Sequence, residues 1–318
     1  MRRAIAMPEG LIEFDQPLLD RDRDRSRQQV EIIQLEQGAT RGRYMGKRSE
    51  TTALQMVHFP HEALIRTPLP KQAACFTVPL GNEREWFVNG VQGSESSVFL
   101  NIDLDETLIY TPDRNSLSGG VPRDLFVGYY CALIGRDPED ADIAPGNVQI
   151  DPAAKSAFIR SLTEMLRAHP ETGMSGGDAS DAFGTRLAHL LAFHLASASR
   201  HHTRDAGACR TPYALVRLTC DFVETIPKRP ILLADLCAAA RVSAPTLTWA
   251  FQRVTGTSPV RFFRLQRLAK ARELLLASDG STGAVKAAAM ANGFTELGRF
   301  SGLYRSIYGE LPSQTLGG

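Results

Sequence analysis

The side chains best placed to do chemistry lie near the C-terminal end. Arg299 carries a planar guanidinium able to donate to the O6 and N7 of one guanine together, a contact worth about 1–3 kcal/mol of discrimination between bases. Phe300, Leu303 and Ile307 recur at steps of three and four and claim the inner side of a helix, which leaves Leu297, Gly298, Arg299 and Gly302 outside. Some fifty residues earlier the pattern occurs once before. Leu247, Phe251 and Val254 form an inner stripe, and Thr248, Trp249, Gln252 and Arg253 remain outside. Between the two, Arg261, Arg264 and Arg267 lie off the apolar side of a further helix and can face phosphate. This is a chemistry of recognition without bond making: cations for phosphates, forked donors and apolar groups for base edges.

Such groups need elements that present them. Leu232-Leu-Ala-Asp-Leu-Cys-Ala-Ala-Ala-Arg-Val-Ser243 leads into a helix over 244–254, and Val285-Lys-Ala-Ala-Ala-Met-Ala-Asn-Gly293-Phe294 leads into a helix over 296–308. Each reads as helix, tight turn, helix. Ser243 suits an N-cap, Pro245 a first turn without a needed N–H, and Gly256 a left-handed close. In the second pair Gly293 serves the turn and Thr295 can cap. Ser258-Pro259 opens a connecting helix lined by Phe262, Leu265, Leu268, Ala271 and Leu275. Roughly twenty residues at 1.5 Å each span about 30 Å. A turn of B-DNA repeats at about 34 Å, so this spacer can set two reading helices in adjacent major grooves of double-stranded DNA.

Charge agrees. From Pro227 onward twelve Lys/Arg face five acids, a surplus of seven on a chain whose formal net charge is +1, so the remainder is acidic. The chain has 318 residues, room for two domains. Five scattered cysteines (Cys75, Cys131, Cys209, Cys220, Cys237) show no metal spacing and fit reduced, buried thiols of a cytoplasmic protein. The start Met1-Arg-Arg-Ala-Ile-Ala-Met lacks a signal-peptide core, and no uncharged stretch reaches membrane-spanning length. No cofactor, metal site or catalytic set is expected.

The front half is strand-rich. Residues 1–29, with Asp20-Arg-Asp-Arg-Asp-Arg25, read as a flexible arm. From Val30 to about Tyr130, Val30-Glu-Ile-Ile-Gln-Leu, Ala53-Leu-Gln-Met-Val-His-Phe, Ala74-Cys-Phe-Thr-Val-Pro-Leu, Glu85-Trp-Phe-Val-Asn and Ser97-Val-Phe-Leu-Asn-Ile are strands, with Asn89-Gly90 as a hairpin turn. They suggest a small barrel or sandwich. From Asp151 the period lengthens: Phe158, Ile159, Leu162, Met165 and Leu166 mark one helix. Residues 170–182 read as a loop, and 183–199 and 213–226 as helices. The fold class is α+β. The expected divisions are the arm at 1–29, a first domain at 30–205 and a helical domain at 210–318.

Several segments together carry a resemblance: Leu233-Ala-Asp-Leu-Cys-Ala-Ala-Ala-Arg-Val-Ser243, Gly256-Thr-Ser-Pro259, Arg267-Leu-Ala-Lys-Ala271-Arg, Gly293-Phe294 and Tyr308-Gly309-Glu-Leu-Pro312. Over about 90 residues they resemble the AraC/XylS family of bacterial transcription regulators. The ending Leu297-Gly-Arg-Phe300…Tyr304…Gly309-Glu310…Pro312 is most similar to the branch containing the ethanolamine-operon regulators. The resemblance implies base contacts from Pro245, Thr248 and Trp249 in one helix and from Leu297, Gly298, Arg299 and Gly302 in the other. It implies a small cupin-like β-barrel in front, holding a small-molecule effector, with helices that form a homodimer. It further implies activation through RNA polymerase. That branch has Arg where Pro245 stands, and Glu296 is an acid beside the second reading helix. Phe76, Trp86 and Phe87 are candidates to line the effector pocket or, more simply, core.

A second resemblance competes. Asn101-Ile-Asp103-Leu-Asp105-Glu-Thr107-Leu resembles the nucleophile loop of haloacid-dehalogenase phosphatases, where the first Asp attacks phosphorus, the second is acid/base and Mg²⁺ bridges them. That fold needs alternating strands and helices, and strands dominate on both sides here. Gly177-Asp178-Ala-Ser-Asp181 imitates its acidic pair weakly. His201-His202, beside Arg200 and Arg204, reads as a solvated linker.

Overall fold

Period-two alternation of buried residues builds the front half from two antiparallel sheets. The computed structural model describes residues 12–14, 30–38, 42–81, 86–168, 177–198, 212–226 and 231–316. The seven-stranded sheet runs in the order β1 (Ile12–Phe14), β3 (Gly42–Arg48), β4 (Ala53–Phe59), β11 (Arg114–Pro122), β6 (Ala73–Pro79), β9 (Ser97–Ile102), β12 (Gly146–Gln149). The five-stranded sheet runs β2 (Glu31–Gln34), β5 (Ala63–Pro68), β10 (Glu106–Thr111), β7 (Phe87–Val88), β8 (Val91–Gln92). Among the described residues these are two separate hydrogen-bonded sets, so the expected small cupin-like barrel is not closed; it is a pair of sheets. Asn89 (φ 51°) and Gly90 (φ 77°) make the expected hairpin turn, with Val88 paired to Val91.

Each sheet uses both faces. On the seven-stranded sheet Leu54, Met56, Phe76, Val78, Leu100 and Leu117 point to three helices, α1 (Arg123–Ile134), α2 (Pro152–Arg167) and α3 (Gly177–Ala196), and meet Phe126, Phe158, Leu162 and Leu187. Its other face gives Phe59 and Phe99 to a second cluster with Ile65, Trp86, Val88 and Ile109 of the smaller sheet and its approach. Each fully buried side chain of this size contributes about 1.5–3 kcal/mol. Helix α1 departs from expectation, since a run rich in aromatic and β-branched residues reads as strand. Burial of Phe126, Val127, Tyr130 and Cys131 along one helical face decides otherwise. Helix α3 starts at Gly177, inside the stretch expected to be loop. Within the leader, residues 12–14 form a strand on β3; the rest of the expected arm lies outside the described residues.

The C-terminal part is helical: α4 (Pro212–Thr225), α5 (Leu233–Ala240), α6 (Ala244–Thr255), α7 (Pro259–Leu276), α8 (Ala284–Ala291) and α9 (Leu297–Tyr308), then a single 3-10 turn at Pro312–Gln314. Phe251, Phe262 and Phe263 pack ring to ring at 4.9–5.7 Å. Arg272, 4% exposed, donates to the Tyr304 hydroxyl at 2.7 Å and to Glu310 at 2.6 Å, tying α7 to α9 and the chain end. The outer face of the five-stranded sheet joins the same apolar cluster through Ile33, Leu64 and Leu108, so the front half rests directly on the helical part.

Candidate nucleic-acid interface

Local capping sets helix α6. Ser243 Oγ accepts from the Thr246 N–H at 3.4 Å, and Gly256 (φ 67°) closes the helix with its N–H on the Gln252 carbonyl. Leu247, Phe251 and Val254 are at most 1% exposed. Their burial leaves Pro245 and Arg253 exposed, Thr248 half-buried, and Trp249 with 55% of its surface in solvent.

Helix α9 follows the same logic. Phe300, Tyr304, Ile307 and Tyr308 are buried, and Leu297, Gly298, Arg299, Gly302 and Arg305 are exposed. Nothing stands within 4 Å of a Cβ built on Gly298 or Gly302, so this face is flat and open to close approach. The N-cap is Glu296 rather than the expected Thr295, and no side chain caps there. Glu296 instead holds the guanidinium of Arg299: Nη1 donates to Oε1 at 3.0 Å, and Nε lies 3.0 Å from Oε2. The three arginines of α7 separate. Arg261 donates to the Leu35 carbonyl at 3.1 Å, and Arg267 is half-buried, its pKa lowered by that burial. Arg264 is exposed. Arg305, one turn beyond Gly302, adds an exposed cation to the same helix.

The competing chemistry dissolves at the same level of detail. Asp103 sits in the turn between β9 and β10 at φ 56°, with both carboxylate oxygens taken by Arg123 at 2.8 and 3.1 Å. Asp105 lies 3.7 Å from Arg217, and the Thr107 hydroxyl donates to Asn89. The two strands belong to different antiparallel sheets, and Asp178 and Asp181 fall in the first turns of α3, not after a strand. Among the described residues no group of three His, Cys, Asp or Glu could hold a metal. His201-His202 lies outside the described residues. The three aromatics proposed for one pocket also part. Trp86 lies between the sheets, Phe76 faces the helices, and Phe87 packs on Tyr110 of the outer face at 6.0 Å. No helix among the described residues is long and apolar enough to cross a membrane.

Comparison with known proteins points to the same elements. A helix-turn-helix domain family matches residues 236–317. The XylDLEGF operon transcriptional activator 2 of Pseudomonas putida is 38% identical over 95 residues, 30% of this chain and 60% of that protein. The probable thc operon regulatory protein of Rhodococcus erythropolis is 35% identical over 102 residues, 32% of this chain and 31% of its own length. The match thus spans about a third of one relative and three-fifths of the other. A solved probable AraC family transcriptional regulator from Rhodopseudomonas palustris is 42% identical, with 32% of this chain covering 94% of that one at a TM-score of 0.28. None of these singles out the ethanolamine-operon branch. Residues 236–317 thus carry a helix-turn-helix domain, and over about 95 C-terminal residues the chain is similar to transcription regulators of the XylDLEGF-activator type.

Proposed function

We propose that the chain is a sequence-specific DNA-binding transcription regulator whose α5–α6 and α8–α9 pairs are two helix-turn-helix units reading adjacent major grooves. One observation carries this: both outward faces, Trp249 and Arg253 on α6 and Leu297, Arg299 and Gly302 on α9, are exposed while the opposite faces form a shared core. Helix α7, at 18 residues, is about 27 Å long, close to one duplex turn. Pro245, Thr248, Trp249, Leu297, Gly298, Arg299 and Gly302 meet base edges; Arg253 and Arg264 meet phosphates. The small and apolar members read thymine methyls and groove shape, and Arg299 reads guanine.

The front domain, 30–205, takes a small-molecule effector between its sheets or joins two copies, and 210–318 is the DNA-binding domain. Trp86 supports the first role: it is 0% exposed, and its indole N–H meets no acceptor among the described residues. Leu133 on α1 and Phe193 on α3, 45% and 52% exposed, support the second. The same reading includes activation through RNA polymerase in the cytoplasm; a relative named as a transcriptional activator supports the activation.

Selection of bound duplexes from a random pool tests the reading. Enrichment of a site with two short conserved boxes is expected. Binding that stays equal across sequences, with only a salt dependence, would overturn it.

A further inference from the structure

The last turn of any α-helix leaves backbone carbonyls without a partner one turn ahead. In α9 the carbonyl of Ile307 is filled from the far end of the chain: the Gly38 N–H donates to it at 3.1 Å and the Gln34 side-chain amide at 3.2 Å. Gln34 is 1% exposed, and the same amide nitrogen donates to the carbonyls of Glu36 (2.9 Å) and Gly38 (3.1 Å), which shapes the turn that brings Gly38 into place.

This strap, β2 and the residues after it to Gly38, also runs along α7. Glu31 accepts from Gln266 at 3.0 Å and lies 3.7 Å from Lys270. Leu35 accepts from Arg261 at 3.1 Å, and Ile33 and Leu35 sit in the apolar cluster of the helical part. The first helix pair is held by the same sheet from another strand. A Cβ on Gly256, which closes α6, would stand 2.4 Å from the Tyr110 ring of β10. One sheet therefore touches the ends of both reading helices. The chain's own route from α7 to α8 passes through Gly280 (φ 78°) and Gly283 (φ 92°), a segment poorly suited to fixing an angle alone.

We propose that the strap is a positioning device for DNA recognition, with Gln34 as its key residue: it sets the second helix pair against the first and so fixes the box spacing the protein accepts. This rests on the two-unit reading above. The discriminating quantity is spacing, not strength, because an element that only stabilised the fold would weaken all probes alike.

The experiment uses the full chain and duplexes carrying the two selected boxes, with the gap altered by up to two base pairs, beside a duplex carrying one box. Two base pairs rotate the boxes by about 70° around the duplex. The unaltered protein should lose at least tenfold in affinity at that change. Gln34→Met, of similar size but with no donor, should lose less than threefold while binding the single box unchanged. Glu31→Gln, on the same strap, should move spacing tolerance the same way and serves if Gln34→Met folds poorly. Variants that keep the full spacing penalty would overturn the proposal. An unaltered protein indifferent to spacing would sink the two-unit reading itself.

Discussion

Nη1 of Arg66, on β5, donates to Oε1 of Glu224, on α4, over 2.7 Å, and so pins the outer face of a sheet to the helical part. Its Nε meets Glu106 at 2.7 Å, and Glu31 lies 4.0 Å away. Burial alone would lower the arginine's pKa, but its hydrogen bonds to Glu224 and Glu106 outweigh it, and the group stays charged with its pKa raised. The side chains of Arg66 and Glu106 are 17% and 10% exposed, whereas Glu224 is 53% exposed.

Loss of the hub should cost more than loss of its outer partner. Arg66→Met takes from Glu106 its 2.7 Å partner, leaving it Arg217 at 3.7 Å, and should destabilise the chain by about 3 kcal/mol. Glu224→Ala should cost under about 1 kcal/mol. Urea midpoints compare them; equal losses would contradict the asymmetry.

The base and phosphate roles separate by salt. Arg299→Ala should weaken binding to the selected site by about 1–3 kcal/mol and to random duplex far less. Arg264→Ala should weaken both and lower the salt slope by about one. Gel-shift titrations at several salt concentrations read each outcome, and an unchanged slope would remove Arg264 from the phosphate contacts.

His194 gives the front half a pH dependence. It is 7% exposed, its ring lies 4.8 Å from that of Phe158, and its Nδ1 meets no partner among the described residues. Burial lowers its pKa. The folded chain thus binds a proton less readily than the unfolded chain. The neutral ring's contribution is fully present above the unfolded value of about 6.5 and is lost as pH falls below it. Urea midpoints of the native chain should decline from pH 7 to 5, and those of His194→Leu should decline less. Parallel profiles would refute the assignment.

Glu310 acts in a lower window. Burial would raise its pKa, but hydrogen bonds from Arg272 and Thr315 prevail and lower it. Its contribution is present above the ordinary glutamate value of about 4.3 and disappears as pH falls through the lowered one. Glu310→Gln should flatten the acid limb of stability in the helical part, followed by the near-ultraviolet signal of Tyr304 and Tyr308. A limb as steep as before would contradict it.

What was legible in the sequence was what is local. Leu247, Phe251 and Val254 stand at helical spacing, and Ser243 and Gly256 punctuate the helix from neighbouring positions, so α6 could be written down directly. The hold of Glu296 on Arg299 is also local, three residues apart, a spacing at which side chains meet on one helix face. Helix α1 was hidden because burial against a sheet outweighed the strand preference of Phe126, Val127, Tyr129 and Tyr130. The bond from Gln34 to Ile307 joins residues 273 apart and has no signature in either neighbourhood. Which face of each strand meets the helices was likewise set by a packing partner far along the chain.

The most direct test of the two-probe account is a hydroxyl-radical footprint of the full chain on its selected duplex. The account predicts two protected patches on one face, about one helical turn (roughly 10 base pairs) apart, with the outer patch weakened by Arg299→Ala. One continuous patch within a single groove, or two on opposite faces, would contradict it.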